Sequence, residues 1–267
     1  MKWSDEAEIA IKKVPLFVRK RVRKRVEKDA AERGKHLVTI AEVKATQARF
    51  LKKQGHEING YQIDRCFGAS GCPHRAIISD DMAEKIEAVF KQADIIGFLK
   101  QTVAGDLKFH HEFRVSLADC PNACSQPQIK DIGIIGAARP DISEEACSNC
   151  EACVDECRED AVELSKNGNG PRIDYRRCLS CGRCMAVCPT GTLSVGQAGY
   201  RVQLGGKLGR HPRLARELPG IFSADQVIDM INTCIALYKK KSTRGARFSE
   251  ILSDADFDWL ADEAGGR

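Results

Sequence analysis

Twelve of the chain's thirteen cysteines lie in short groups, and this clustering constrains the fold more than any other feature of the sequence. Two of the groups share the spacing C-x2-C-x2-C-x3-C and are offset by 31 residues. Their members are Cys147, Cys150, Cys153 and Cys157, then Cys178, Cys181, Cys184 and Cys188. The sequence begins without an apolar signal segment, so we expect a cytoplasmic, reducing location where disulfides are disfavoured. Metal binding is therefore the leading explanation for the thiols.

Three thiolates within seven residues can surround one corner of an iron–sulfur cube, whereas zinc sites usually use two pairs separated by a long spacer. The doubled run resembles the two-cluster bacterial ferredoxins over about residues 143–195. In that family the fourth cysteine of each run ligates the other cluster. The resemblance implies two 4Fe-4S clusters, one held by Cys147, Cys150, Cys153 and Cys188 and one by Cys178, Cys181, Cys184 and Cys157.

One position departs from the ferredoxin pattern. Pro189 follows Cys188 as that pattern requires, but Arg158 follows Cys157 where a second proline is expected. We expect the arginine to place a positive charge and an additional N–H near a cluster and to raise its potential.

A third set of four cysteines has the spacing C-x5-C, about fifty residues, then C-x3-C, and spacing alone leaves a cluster and unrelated thiols equally open. The stretches "CFGASGC", "VSLADCPNACSQPQIKDIGIIG" and "YRVQLGGKLGRHPRLARELPG" resemble motifs of the nitrite and sulfite reductase family over about residues 60–260. The resemblance implies that Cys66, Cys72, Cys120 and Cys124 bind a third 4Fe-4S cluster. It also implies that Cys124 is the bridging thiolate between this cluster and the iron of sirohaem.

Sirohaem carries many carboxylates, so its pocket should be basic. Five basic residues are candidates for binding the macrocycle or the anionic substrate. Four of them follow Gly205 and Gly206, and the fifth precedes the first cysteine pair: Lys207, Arg210, His211 and Arg213, then Arg65. Lys207 and Arg210 are the candidates for a catalytic role beside Cys124. For each basic residue, a solvated surface charge remains an equally good interpretation.

The N-terminal segment has a different character, because "IKKVPLFVRKRVRKRVEK" carries nine Lys or Arg and one Glu. Val14, Val18, Val22 and Val26 recur every four residues, which predicts one apolar stripe on a helix. The charge indicates either a solvated face or a surface for something acidic, and no recognition motif for nucleic acid accompanies it. The segment resembles the small helical module of one of the subunits of light-independent protochlorophyllide reductase through Trp3, Glu6, Ala7, Pro15, Phe17, Val18, Arg19, Glu27 and Thr39.

The predicted fold class is α+β, with an α/β reductase-like domain that carries an inserted ferredoxin-like domain and an N-terminal helical module. The predicted domains are residues 1–58, residues 59–139 together with 196–267, and the insertion 140–195. Strands are predicted at "FRVSLA" and "KDIGIIGA", and helices at "TIAEVKATQARFLKKQ", "DDMAEKIEAVFKQ" and "ADQVIDMINTCIALYKKK". We expect the remaining cysteine, Cys234, to be a core residue of the last of these helices.

These features predict an oxidoreductase that carries three 4Fe-4S clusters and sirohaem and performs six-electron reduction of sulfite or nitrite. The alternative is a three-cluster electron-transfer protein without active sirohaem that serves a partner reductase, and a tetrapyrrole-handling accessory protein is a third hypothesis. The expected partners are a low-potential electron donor, such as a ferredoxin or reductase subunit, and a small anion. The sequence contains no run of eighteen consecutive apolar residues, so no membrane span is predicted. A homo- or hetero-oligomer is left open.

Overall fold

The computed structural model describes residues 1–56, 58–165, 167 and 170–265. Helices and strands are mixed along these residues, which confirms the predicted mixture of α and β structure. The chain forms two compact units, and the three-domain division stays a prediction. The first unit contains Met1–Ile58 with Gly105–Phe109, and the second contains Asn59–Ala104 with His110–Arg267.

Three helices and one small parallel pair of strands make up the first unit. The elements are β1 (Lys2–Trp3), α1 (Asp5–Lys12), α2 (Leu16–Ala31), β2 (Leu37–Val38) and α3 (Ile40–His56). Its core contains Ala7, Val26, Ala30 and Val38, with Trp3 packed against them. Glu42 accepts a hydrogen bond from the N–H of Thr39 at 3.0 Å, which fixes the start of α3, the helix predicted at "TIAEVKATQARFLKKQ".

The predicted apolar stripe is only partly correct, because the chain turns between α1 and α2. Val14 lies in this turn, since Pro15 disfavours helical geometry at the residue before it. Val26 is buried and Val22 packs against the core, so the second half of the stripe does face inward. The opposite face of α2 carries Lys and Arg along its length.

The second unit is built on a five-stranded sheet whose strands, in spatial order, are β3 (Tyr61–Arg65), β4 (Phe113–Ala118), β5 (Ile132–Ile142), β8 (Leu193–Leu204) and β9 (Arg216–Glu217). Two helices, α4 (Met82–Gln92) and α5 (Ile95–Thr102), connect β3 (Tyr61–Arg65) with the parallel strand β4 (Phe113–Ala118). The next strand, β5 (Ile132–Ile142), is parallel to β4. The "FRVSLA", "KDIGIIGA" and "DDMAEKIEAVFKQ" predictions are thereby confirmed.

The cysteine-rich segment is inserted between β5 and its antiparallel neighbour in the sheet. Its regular elements are short: α6 (Ala152–Glu156), β6 (Val162–Leu164), β7 (Pro171–Ile173) and α7 (Arg183–Ala186). β8 (Leu193–Leu204) then returns along β5, with a register shift between Arg139 and Pro140. The sheet ends at the short strand β9 (Arg216–Glu217).

Three helices complete the chain: α8 (Ala224–Lys241), α9 (Phe248–Ile251) and α10 (Asp254–Gly265). Ser223 and Gln226 form a reciprocal capping box at the start of α8. Cys234 has no exposed surface, so the prediction that it is a core residue is confirmed. Within the described residues, none of the helices is both long and apolar enough to traverse a bilayer.

Candidate metal centres

The third cysteine set lies at one edge of the sheet. Cys66 follows β3 directly, and Cys120 comes two residues after β4. Because β3 and β4 are parallel neighbours, their carboxyl ends lie side by side and bring the "CFGASGC" and "CPNAC" turns together. The N–H of Cys66 also donates to the carbonyl of Leu117 at 3.0 Å, which continues the ladder into the cysteine turn.

Several N–H groups point at the sulfur atoms of this set. The N–H groups of Gly68 and Asp119 each lie 3.3 Å from the Sγ of Cys66. The side-chain amide of Asn122 donates to the Sγ of Cys124 at 3.0 Å. Such donors stabilise thiolates and tune the potential of a bound cluster. Burial raises the pKa of the Cys120 thiol, and Cys124 is exposed.

In the inserted segment, one cavity is lined by the four thiols that the ferredoxin resemblance assigns to a single cluster: Cys147, Cys150, Cys153 and Cys188. The N–H of Asn149 lies 3.4 Å from the Sγ of Cys147, and the N–H of Leu193 lies 3.5 Å from the Sγ of Cys188. The N–H of Ala152 lowers the pKa of the Cys150 thiol. The geometry therefore suits a thiolate-bound group at this position.

The other predicted set, which consists of Cys178, Cys181, Cys184 and Cys157, lies deeper. Burial raises the pKa of Cys184 to about 12, and the neighbouring thiols of Cys178 and Cys181 contribute to the shift. The N–H of Ser180 lies 3.4 Å from the Sγ of Cys178. The N–H of Ala138 in β5 donates to the carbonyl of Ser180 at 2.7 Å, which ties this run to the central sheet.

A cavity of about 430 Å³ joins this deeper set to the third cysteine set. Seven of the eight thiols line it: Cys72, Cys120, Cys124, Cys157, Cys178, Cys181 and Cys184. His74, Asn122 and Arg158 contribute polar groups to the same walls. Two thiol sets that open onto one cavity would place their clusters next to each other.

The donor arrangement differs from a mononuclear site. Within the described part of the chain, no three His, Cys, Asp or Glu side chains are placed to hold a single metal ion. Zinc requires four donors at about 2.0–2.3 Å from one point. Thiolates grouped in this way are ligands of both zinc and iron–sulfur clusters, and the doubled C-x2-C-x2-C-x3-C spacing favours the clusters.

The predicted basic residues fall into two classes. Arg65 pairs with Glu84 at 3.1 Å, and Lys207 pairs with Glu250 at 3.3 Å. Arg213 donates to the carbonyls of Gly205 and Ser249 and so closes the turn after β8. Arg210 and His211 are exposed, and no hydrogen bond or ion pair with another described residue holds either of them. These two side chains are therefore available to an anionic group.

The sequence reasoning missed three residues that support the third set, namely Asp119, Arg75 and Ser79. The buried Asp119 carboxylate lies 2.7 Å from the Nε of Arg75 and accepts a hydrogen bond from the hydroxyl of Ser79. The only local signal was the position of Asp119 directly before Cys120.

Comparison with known proteins gives two family matches. The model of the nitrite and sulphite reductase 4Fe-4S domain matches residues 62–267. The model of the proto-chlorophyllide reductase 57 kD subunit matches residues 3–47. The chain is also 55% identical over 40 residues to one component of the light-independent protochlorophyllide reductase of Pelodictyon phaeoclathratiforme, covering 15% of this chain and 8% of that protein. These matches confirm the two corresponding resemblances.

Among curated proteins, the coenzyme F420-dependent sulfite reductase of Methanocaldococcus jannaschii is 29% identical over 182 residues. The aligned part is 68% of this chain but 27% of that protein, so the chain spans only about a quarter of this relative's length. A crystal structure of dissimilatory sulfite reductase I aligns with a TM-score of 0.49 and 16% identity, over 85% of this chain and 58% of that one.

Proposed function

The chain belongs to the nitrite and sulphite reductase 4Fe-4S domain family, and from that membership we propose that it relays electrons through three 4Fe-4S clusters to sirohaem. The proposed reaction is the six-electron reduction of sulfite or nitrite. The observation that carries the proposal is the shared cavity, because it connects the inserted module to the cysteines of the reductase motif.

The cavity supports an order for the three centres. The Cys147/Cys150/Cys153/Cys188 set has its own separate cavity, and Cys150 is exposed. We assign electron entry from a low-potential donor to this centre. Electrons would pass to the centre of Cys178, Cys181, Cys184 and Cys157, and then across the 430 Å³ cavity to the third centre.

In this proposal, Cys124 is the ligand through which electrons leave the third cluster for sirohaem. Its side chain is exposed, so its Sγ can ligate the third cluster and still face a second group. The Asn122 amide donates to this sulfur at 3.0 Å, which holds the side chain of Cys124 in one direction. The exposed thiol of Cys124 supports a second ligand there, and the exposed side chains of Arg210 and His211 are the candidates for its carboxylates, whereas Arg65, Lys207 and Arg213 are engaged within the chain. When bound, sirohaem supplies the iron at which the anion is reduced.

The alternative is a three-cluster electron-transfer protein whose partner performs the chemistry. The contacts of the predicted basic residues favour this alternative, since three of the five candidates, Arg65, Lys207 and Arg213, already have partners in the chain. Those three side chains would have to leave their partners before they could bind the carboxylates of a macrocycle.

The test is to measure iron, acid-labile sulfide, zinc and sirohaem per chain in anaerobically purified protein, together with its visible spectrum. We expect about twelve cluster irons per chain, since each cubane cluster contributes four, and about one further iron in a sirohaem. This sirohaem should support sulfite- or nitrite-dependent oxidation of a reduced viologen dye. Three clusters without sirohaem would support the electron-transfer protein. Zinc, or far fewer irons, would refute both.

A pair of variants tests whether Cys124 connects the third cluster to the haem. Cys124→Ser should disconnect the haem from the third cluster and abolish dye-driven reduction, whereas Cys234→Ala, which changes a core thiol outside the three sets, should retain it. A haem-containing Cys124→Ser protein with full activity would refute the bridging assignment.

A further inference from the structure

Asp119 is bound to both halves of the third cysteine set through its main chain. Its N–H donates to the Sγ of Cys66 at 3.3 Å, and its carbonyl accepts from the N–H groups of Ala76 at 2.9 Å and Ile77 at 3.3 Å. Because Asp119 also precedes Cys120 directly, one residue connects the "CFGASGC" turn, the segment after it and the "CPNAC" turn.

The side chain of Asp119 makes a second set of contacts with the same segments. The carboxylate is 6% exposed, lies 2.7 Å from the Nε of Arg75 and accepts from the hydroxyl of Ser79. Arg75 is itself largely buried, and its other end reaches the exposed Asp80 at 2.5 Å. A buried carboxylate is tolerated only when it is paired and hydrogen-bonded, so this arrangement holds three short segments in one geometry.

Gly68 leaves the space that the carboxylate needs. A Cβ atom at residue 68 would lie 1.8 Å from Oδ2 of Asp119, so a larger residue would have to displace the carboxylate. The N–H of Gly68 donates to the Sγ of Cys66 at 3.3 Å. The carboxylate therefore lies against the backbone of the turn that presents Cys66 to a cluster.

We propose that Asp119 is the positioning residue of the Cys66/Cys72/Cys120/Cys124 centre, and that with Arg75 and Ser79 it sets both the spacing of the two cysteine turns and the charge beside the cluster. This inference rests on the proposed function only in requiring a cluster at these cysteines. Asp119 touches no substrate and acts through the ligand turns. Its negative charge lowers the potential of that cluster, because reduction adds an electron close to a buried anion.

The test uses anaerobically purified wild-type protein and three variants. It compares their iron content and the midpoint potential of each cluster, which is determined by redox titration monitored by electron paramagnetic resonance. Asp119→Ala keeps the main-chain hydrogen bonds of residue 119 but removes the side-chain contacts with Arg75 and Ser79. It should therefore lose the four irons of one cubane out of about twelve cluster irons. Asp119→Asn keeps the size and the Ser79 contact but removes the charge, so all iron should remain while one potential rises. Asp80→Asn removes the exposed partner of the same arginine and should match wild type in both measurements.

Wild-type iron and unchanged potentials in both Asp119 variants would overturn the proposal while leaving the proposed function intact. A wild-type protein that lacks a third cluster would instead contradict the proposed function. If Asp119→Ala does not fold, the potential shift in Asp119→Asn alone decides, and a shift spread equally over all three clusters would also overturn the assignment.

Discussion

The buried ion pair between Asp131 and Arg247 allows a prediction whose magnitude follows from the structure. Asp131 has no exposed surface, and its carboxylate accepts from the N–H of Arg114 at 2.9 Å and the N–H of Ser249 at 3.1 Å. Arg247 supplies a third donor and an opposite charge, at 2.7 Å. The carbonyl of Asp131 also accepts from the N–H of Gly205 at 2.8 Å, so the pair ties α9 and the turn after β8 to β5.

Arg247→Met keeps much of the side-chain volume and removes this countercharge from a buried carboxylate. Removing one partner of a buried pair costs about 3–5 kcal/mol, because the loss of a charged hydrogen bond is added to the penalty of an unpaired charge. Against a typical unfolding free energy of about 5–15 kcal/mol, this is a large share. Replacing both partners, in Asp131→Asn/Arg247→Met, should recover about 1–3 kcal/mol of that loss.

The assay is anaerobic urea unfolding of the cluster-loaded protein, monitored by far-ultraviolet circular dichroism and by cluster absorbance. Lys85→Met is the matched control, because Lys85 pairs with Asp81 at 2.7 Å in an exposed position at the start of α4, where solvent screens the pair and its loss should change stability little. The reasoning is refuted if Arg247→Met unfolds within about 1 kcal/mol of wild type. Simple additivity in the double variant would refute the coupling.

Three further outcomes are expected. Cys234 should resist alkylation in the native protein and react after unfolding, since burial raises its pKa to about 12, and labelling of the native thiol detected by mass spectrometry would contradict this. Burial also raises the pKa of Tyr200 to about 12, from an ordinary value of 10.0. As the pH rises, the Tyr200 hydroxyl therefore loses its proton in the unfolded state first. The stabilisation that this group contributes is complete below about pH 10, and the free energy of unfolding measured in urea should fall as the pH rises toward 12. A free energy of unfolding that stays constant over that range would contradict this. Arg21→Glu should raise the melting temperature of the α2-containing unit, which corresponds to a stabilisation of about 0.3–1 kcal/mol. The new glutamate relieves repulsion among the exposed cations of α2 and can pair with Arg25 at i+4. A lower melting temperature would contradict this.

The sequence predicted the elements whose signals are local. "FRVSLA" alternates and contains β-branched and aromatic residues, and the strand it predicts begins at Phe113 and ends at Ala118 as expected. The helix predicted at "ADQVIDMINTCIALYKKK" coincides with α8, whose start is fixed by the capping box of Ser223 and Gln226. The turn at Pro15 was missed because the valine spacing suggested one continuous helix, although Pro15 itself was the local signal against it.

The site was predictable only as sets of ligands. The cysteine spacing and the family resemblances predict which thiols act together, but the cavity shared by the Cys178/Cys181/Cys184/Cys157 set and the third set depends on how the inserted module lies against the sheet. The Asp119–Arg75 pair spans 44 positions of sequence and joins two turns through a single ion pair. No local pattern of the kind that defines a helix or strand marks such a contact.

The inserted module is held by the sheet itself rather than by a linker. β5 and β8 pair from Ile132 with Leu204 to Ile142 with Leu193, so the module begins where the strands end. The register shift at Arg139 and Pro140 bends this ribbon. Next to the bend, Ala138 bridges to Cys181 and donates to the carbonyl of Ser180 at 2.7 Å. Because this contact is a backbone bridge to β5, we infer that the sheet sets the separation between the Cys178/Cys181/Cys184/Cys157 centre and the Cys66/Cys72/Cys120/Cys124 centre. Electron transfer across the shared cavity would then not require a domain movement, in contrast to a module carried on a flexible linker.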